Sequence, residues 1–369
     1  IAQARNPLIW AGGGVHASDA CASLARLQEE CHLPVATTTM GKGTIDDGHP
    51  LSVGIIGYYM GTGSASQHLR SMVDDADVIV AIGNRTNQNG TDSWQLLPSG
   101  TQLIHIDIDP QEIGRNHEAL RLAGDARATI DALIDHLRRG DLGRREETRA
   151  AVEARIAEGK AKHQVEVADI RQSSATPIRP ERLMADLEAV LTPEHIVCAD
   201  ASYSSIWVCN GLKSRRAGQR FLTPRGMAGL GWGLPMAMGA KIARPDAPVF
   251  CLAGDGGFAH VWSELESARR LGTHIVLVVL NNEILGYQKH AELARYGAHT
   301  DAIAFKPVDH AMVAQAAGCR GVRITDPADF AGALNEAFTM TDRITTVIDV
   351  MTDPNAHPPI TAFEGKKTR

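Results

Sequence analysis

The sequence predicts an α/β protein built from two Rossmann-like, doubly wound parallel-sheet domains. Three observations carry that expectation. Short runs that are apolar almost throughout, at 7–11, 249–253 and 274–280, suit strands covered on both faces, as in a parallel sheet between helical layers. Between two of them, Phe258, Val261, Trp262, Leu265 and Ala268 recur at helical spacing, so 249–287 reads as a strand, a helix and a second strand. Glycine clusters follow two of the runs, Gly12-Gly13-Gly14 and Gly254, Gly256 and Gly257, where strands turn into helices.

In chain order, residues 1–138 read as the first domain, with a strand at 7–11, the glycine turn, a helix from Ser18, and strands at 34–37, 77–82 and 103–108. Residues 139–176 are charged and helix-favouring and read as a solvated linker. Residues 177–352 read as the second domain. Pro180 opens its first helix, with Leu183, Leu187 and Leu191 on one face, and a strand follows at 195–199. Residues 353–369 read as a C-terminal tail.

A chain of 369 residues suggests two or three domains, and a net charge of −6 with both signs interspersed gives no polybasic surface for nucleic acid or membrane. No apolar run approaches the roughly 20 residues of a membrane span. The six cysteines are scattered without CxxC spacing, which argues against a disulfide scaffold or a zinc site and fits a reducing cytoplasm. The opening IAQARNPLIWAGGG has no methionine and no signal-peptide core, and it reads as a domain entered partway through a longer protein.

In an open parallel sheet, ligands bind outside the carboxyl ends of the strands, and Asp255 and Asn282 each stand just past such an end. They are expected to face one ligand. A carboxylate, an amide oxygen and a backbone carbonyl are hard donors of the kind Mg²⁺ takes, with phosphate oxygens filling its remaining positions. The glycine N–H groups at the helix start would receive those phosphates. Taken singly, Asp-Gly also reads as a plain turn and Asn-Asn as a loop start.

Gly254-Asp255-Gly256, 24 residues, then Asn281-Asn282 resembles the thiamine diphosphate (ThDP) fingerprint. The order LIWAGGG, AIGNR at 81–85 and IHIDIDP at 104–110 is similar to the central domain of acetolactate synthase-like enzymes. The resemblance covers nearly all of the chain, as the central and C-terminal pyrophosphate-binding domains. It implies that Asp255, Asn282 and the carbonyl of Ile284 hold Mg²⁺. It also implies that Gly254, Gly256, Gly257, Leu285 and Gly286 border the diphosphate.

Asp200 and Trp207 match the family's D-V-G-Q-H-Q-M-W, whereas Ser202, Tyr203 and Ser204 stand where its glycine and its diphosphate-contacting glutamine and histidine fall; their hydroxyls can still donate to phosphate. The glycine- and alanine-rich stretch 226–240 resembles G-L-G-T-M-G-F-G-L-P. That match puts Leu230 at the wedge that bends the cofactor, gives the Ala228 carbonyl to its amino group, and leaves Gly229 beside them. Small residues here would also suit helix packing. Tyr287 and His290 follow the metal loop and border the pocket, with His290 a candidate proton donor or else a structural histidine. Ala291 stands at the family's tryptophan, so this motif does not support branched-chain amino acid biosynthesis.

The activity implied is ThDP- and Mg²⁺-dependent decarboxylation and carboligation of 2-oxo acids. In the family, the activating glutamate comes from a pyrimidine-binding domain that this sequence does not contain. A partner chain or missing fragment is expected to supply it, in a dimer or tetramer. Some members carry FAD or ADP in the central domain, but 84–89 (NRTNQN) departs from the family's acidic continuation. Two alternatives are a pyruvate oxidase-like FAD/ThDP oxidoreductase and a non-catalytic ThDP-binding subunit.

Overall fold

The computed structural model describes residues 1–364, so residues 365–369 of the expected tail lie outside the described residues. The chain forms two compact units. One comprises Ile1–Glu166 with Lys213–Gln219 and Pro359–Glu364; the other comprises Val167–Leu212 and Arg220–Pro358.

The first unit holds strands β1 (Pro7–Ala11), β2 (Val35–Thr37), β3 (Ser52–Ile55), β4 (Val78–Ile82), β5 (Gln102–Asp107) and β6 (Leu120–Ala123). They form one six-stranded sheet in the order β3-β2-β1-β4-β5-β6, with every pairing parallel. The unbroken apolar character of β1 has a direct cause. Ile9 and Ala11 pack into the core on one face with Leu24, Leu27 and Ile130, while Leu8 and Trp10 pack on the other with Leu69 and Ile156.

Two features of this unit differ from the sequence expectation. The glycine triplet is not a free turn, because Gly13 already opens a short helix, Gly13–Ala17, and a second helix spans Cys21–Glu30. The charged stretch expected to be a solvated linker forms a 24-residue helix, Gly143–Glu166, that packs within the unit. Its Arg145 is buried and donates to the carbonyl of Ala4, Gly159 packs against Leu69, and the half-buried Lys160 donates to the carbonyl of Asp47 at 2.9 Å. The alternation of charge hid these contacts because only one narrow stripe of the helix is covered.

The second unit holds β7 (Ile196–Ala199), β8 (Phe221–Leu222), β9 (Val249–Gly254), β10 (Val276–Asn281), β11 (Arg320–Ile324) and β12 (Thr346–Met351). Its sheet order is β11-β12-β10-β9-β7-β8, again parallel throughout. The winding direction reverses between β7 and β9, which opens a crevice at their carboxyl ends. Cys198, Cys251, Leu277 and Val279 share one core with Leu234, Ala237, Phe258 and Leu265.

The expected helix after β9 is two short ones, Asp255–Ala259 and Glu264–Arg270. Residues 353–358, expected in the tail, belong to this unit, where Asp353 pairs with Arg179 at 2.8 Å. Among the described residues no helix is long and apolar enough to cross a membrane.

Candidate active site

Asp255 stands at the end of β9, beside the β7/β9 crevice. Its Oδ1 accepts from the N–H of Gly256 (2.7 Å), and its Oδ2 accepts from those of Asn282 (3.1 Å) and Glu283 (2.7 Å). The last two bonds form because Glu283 takes a left-handed conformation, φ 58°, that turns the chain back over the carboxylate. Burial, reinforced by the nearby charge of Asp349, pushes the Asp255 carboxyl up to about 6. A buried carboxylate with no cationic partner among its contacts is suited to a cation. Asn282 and Ile284 are held against it by the same turn, with Asn282 Oδ1 accepting from the Ile284 N–H at 3.3 Å.

One carboxylate oxygen, one amide oxygen and one backbone carbonyl form the hard donor set that a divalent cation takes when phosphates complete its shell. Among the described residues no group of three or more His, Cys, Asp or Glu side chains forms a metal cluster.

A second carboxylate organises the opposite wall. Asp200, just past β7, is buried; its Oδ1 accepts from the N–H groups of Ala201 (2.8 Å) and Trp232 (3.0 Å), and its Oδ2 accepts from that of Gly231 (3.0 Å). Burial raises its pKa and the backbone N–H bonds oppose the rise. Asp200 thereby fastens the 226–232 loop, which leads into the helix Gly233–Ala243 and in which Ala228 (φ 57°) and Gly231 (φ 86°) are both left-handed. The same carboxylate presses on Gly257, where a β-carbon would be closer to Asp200 Oδ2 than any atom can approach. Leu230 remains 38% exposed at this wall. Its Cδ2 lies 3.8 Å from the position of a β-carbon on Gly257. The motif match at Asp200 assigns it no role, although Asp200 carries the same signal as Asp255, a carboxylate at the end of an apolar run.

Ser202, Tyr203 and Ser204 begin the helix Tyr203–Gly211, and Ser202 is left-handed with φ 64°. Ser204 is buried facing the Gly254 turn, its Oγ 3.9 Å from where a β-carbon of Gly254 would stand. Tyr203 Oη lies 2.7 Å from His290 Nδ1, so two residues expected to act separately are joined by one hydrogen bond. His290 Nδ1 is also 3.0 Å from the Gly286 carbonyl. That carbonyl can only accept. A proton on Nδ1 serves it, whereas a bare Nδ1 accepts from the phenol. Burial lowers the pKa of His290 and raises that of Tyr203, which keeps both neutral. Tyr287 packs edge-on against Tyr203 with ring centroids 5.8 Å apart, and His357 lies 4.6 Å from His290.

The glycine triplet of the first unit has a packing explanation. The N–H groups of Gly12 and Gly14 donate to the carbonyls of Ile82 (2.8 Å) and Gly83 (2.9 Å), and a β-carbon on either glycine would collide with the Gly83 backbone. Those two donors are committed to β4 and the turn that follows it. The triplet therefore gives no support to FAD or ADP.

These features define an α/β protein that brings a carboxylate, an amide and glycine backbone together at the strand ends of its second sheet. Residues 1–133 match the thiamine pyrophosphate enzyme central domain, and residues 200–350 match the C-terminal thiamine pyrophosphate-binding domain. The chain belongs to the thiamine pyrophosphate enzyme family. It is 31% identical over 376 residues to a probable acetolactate synthase large subunit of Methanocaldococcus jannaschii, covering 100% of this chain and 61% of that protein. It is 30% identical over 370 residues to the probable large subunit of Methanococcus aeolicus, covering 96% of this chain and 59% of that protein. A Mycobacterium leprae acetolactate synthase is 30% identical over 367 residues, covering 96% and 56%. The chain thus spans roughly three fifths of the length of these relatives.

Proposed function

We propose that this chain forms the central and cofactor-binding part of a ThDP- and Mg²⁺-dependent enzyme, acetolactate synthase-like, that decarboxylates a 2-oxo acid and joins its acyl unit to a second carbonyl. The observation that carries the reading is the closure of the Asn282–Ile284 turn onto Asp255, within 3.1 Å, beside the Gly256-Gly257 backbone. Asp255, Asn282 and the Ile284 carbonyl would hold the Mg²⁺. The Gly257 N–H and the Ser204 hydroxyl would meet the diphosphate, the Gly256 N–H being held by Asp255. Leu230 would wedge between the two rings of the cofactor and keep it bent, held in place by the grip of Asp200 on its loop.

When bound, ThDP supplies the electron sink that the chemistry needs. The apolar wall of Leu230 would exclude water from the reacting carbon. Tyr203 and His290 form a neutral pair able to hold a proton near an incoming carbonyl oxygen. The activating glutamate would come from a pyrimidine-binding domain, either on another chain or in a part of the protein outside this sequence, within a dimer or tetramer.

Calorimetric titration with ThDP in the presence and absence of Mg²⁺ tests the site. Asp255→Ala is expected to abolish the Mg²⁺-dependent component; unchanged affinity would overturn the assignment. Carbon dioxide release from pyruvate is expected only when a pyrimidine-domain chain is added.

A further inference from the structure

Asn281 precedes the expected metal ligand Asn282, but it serves a different purpose. Its Nδ2 donates to the carbonyl of Val308 (3.0 Å) and to Asp349 Oδ1 (3.0 Å), so its side chain turns into the protein rather than toward the cation site. Asp349 lies on β12, opposite Val279 of β10, and is 0% exposed. Its second oxygen accepts from the N–H of His310 at 3.0 Å, with Arg323 Nη1 at 3.5 Å. One buried carboxylate therefore fastens both the end of β10 and the start of the helix His310–Ala316.

Between those anchors, residues 303–310 run along the metal loop. The Leu285 N–H donates to the Ile303 carbonyl (2.9 Å), the Phe305 N–H donates to the Glu283 carbonyl (2.8 Å), and Ile284 pairs with Ala304 in an antiparallel bridge. Phe305 and Leu285 fill the space that a side chain on Gly256 would need. The segment is a brace touching both halves of the site, the metal loop and the glycine turn. Its far end is tied to Asp349.

Burying a carboxylate in a strand that otherwise reads Thr346, Val347, Ile348 and Val350 costs desolvation that an apolar residue would avoid. We infer that Asp349 is a positioning residue for the divalent-cation site, acting through Asn281 and the 303–310 brace to aim the Ile284 carbonyl and the Asn282 side chain. The inference rests on the proposed assignment of Asp255, Asn282 and Ile284 to the cation.

The test is Mn²⁺ binding to the chain with ThDP, read by the electron paramagnetic resonance of free Mn²⁺, together with hydrogen exchange over 283–306. In Asp349→Asn the amide oxygen can accept from only one of Asn281 and His310, while its NH₂ faces the other donor. Asp349→Asn is expected to weaken Mn²⁺ binding by about 10- to 100-fold, as loss of a residue that orients a metal ligand does, and to speed exchange in 283–306. Asn281→Ala leaves Asp349 bonded to His310 and is expected to do the same, which covers the case of an Asp349 variant that does not fold. Wild-type Mn²⁺ affinity in a folded Asn281→Ala or Asp349→Asn protein, even with a lowered melting temperature, would leave Asp349 a purely structural residue and overturn the inference. Asp255→Ala separates the two readings. If it also binds Mn²⁺ normally, or if the wild-type chain binds none, the metal assignment falls and the inference falls with it; if only Asp255→Ala loses binding, the inference alone falls.

Discussion

Asp200 and Gly257 stand so close that the carboxylate occupies the place where any side chain at 257 would begin. The contact joins the ends of β7 and β9, the two strands between which the winding of the second sheet reverses. Gly257→Ala is therefore expected to displace Asp200 and release the Gly231 and Trp232 N–H groups it holds. The overpacking should cost about 1–3 kcal/mol and weaken ThDP binding, measured by urea unfolding and calorimetry. A variant as stable and as tightly binding as the wild type would show that the crevice is not packed this way.

The pH dependence of stability follows from Asp255. Burial raises its carboxyl from 3.8 to about 6, so the folded protein holds this proton more tightly than the unfolded chain does. That contribution is fully present below pH 3.8 and is lost as the pH rises to about 6. Relative to Asp255→Asn, the wild type should lose up to roughly 3 kcal/mol across this window in the absence of metal. Chemical unfolding of both proteins at a series of pH values checks the slope. At neutral pH, Mg²⁺ with ThDP should raise the melting temperature of the wild type and not of the variant.

The Tyr203–His290 bond can be isolated by a double-mutant cycle. Tyr203→Phe removes the hydroxyl that lies 2.7 Å from Nδ1, and His290→Ala removes its partner. A coupling of about 1 kcal/mol in unfolding free energy is expected, as for a partly buried neutral hydrogen bond. Strict additivity would mean that the two side chains act independently.

Arg145 tests whether the 143–166 helix is part of the first unit. Its buried guanidinium donates to the carbonyls of Ala4 and Arg5. Arg145→Ala should strand those acceptors, leave a void and lower stability by roughly 2–4 kcal/mol. A change near zero in thermal unfolding would restore the reading of this stretch as a solvated linker.

The sequence by itself determined the α/β class, the strands β1, β2, β4, β5, β7, β9 and β10, and the pairing of a carboxylate and an asparagine at two strand ends. Each of these is local. A strand buried on both faces must be apolar almost throughout, as Val249–Gly254 and Val276–Asn281 are. Strands β3, β6 and β11 escaped because they do not read as unbroken apolar runs. In β6 all four residues are exposed, and in β11 Arg320 and Arg323 interrupt the small and apolar residues. Only the tertiary structure decided that Asp200 grips the 226–232 loop, that Tyr203 meets His290 across 87 residues, and that Asn281 turns inward to Asp349 across 68. Periodicity encodes how deeply a residue is buried. Which distant residue it faces depends on the order in which the strands lie side by side, and that order is fixed by packing of the whole sheet.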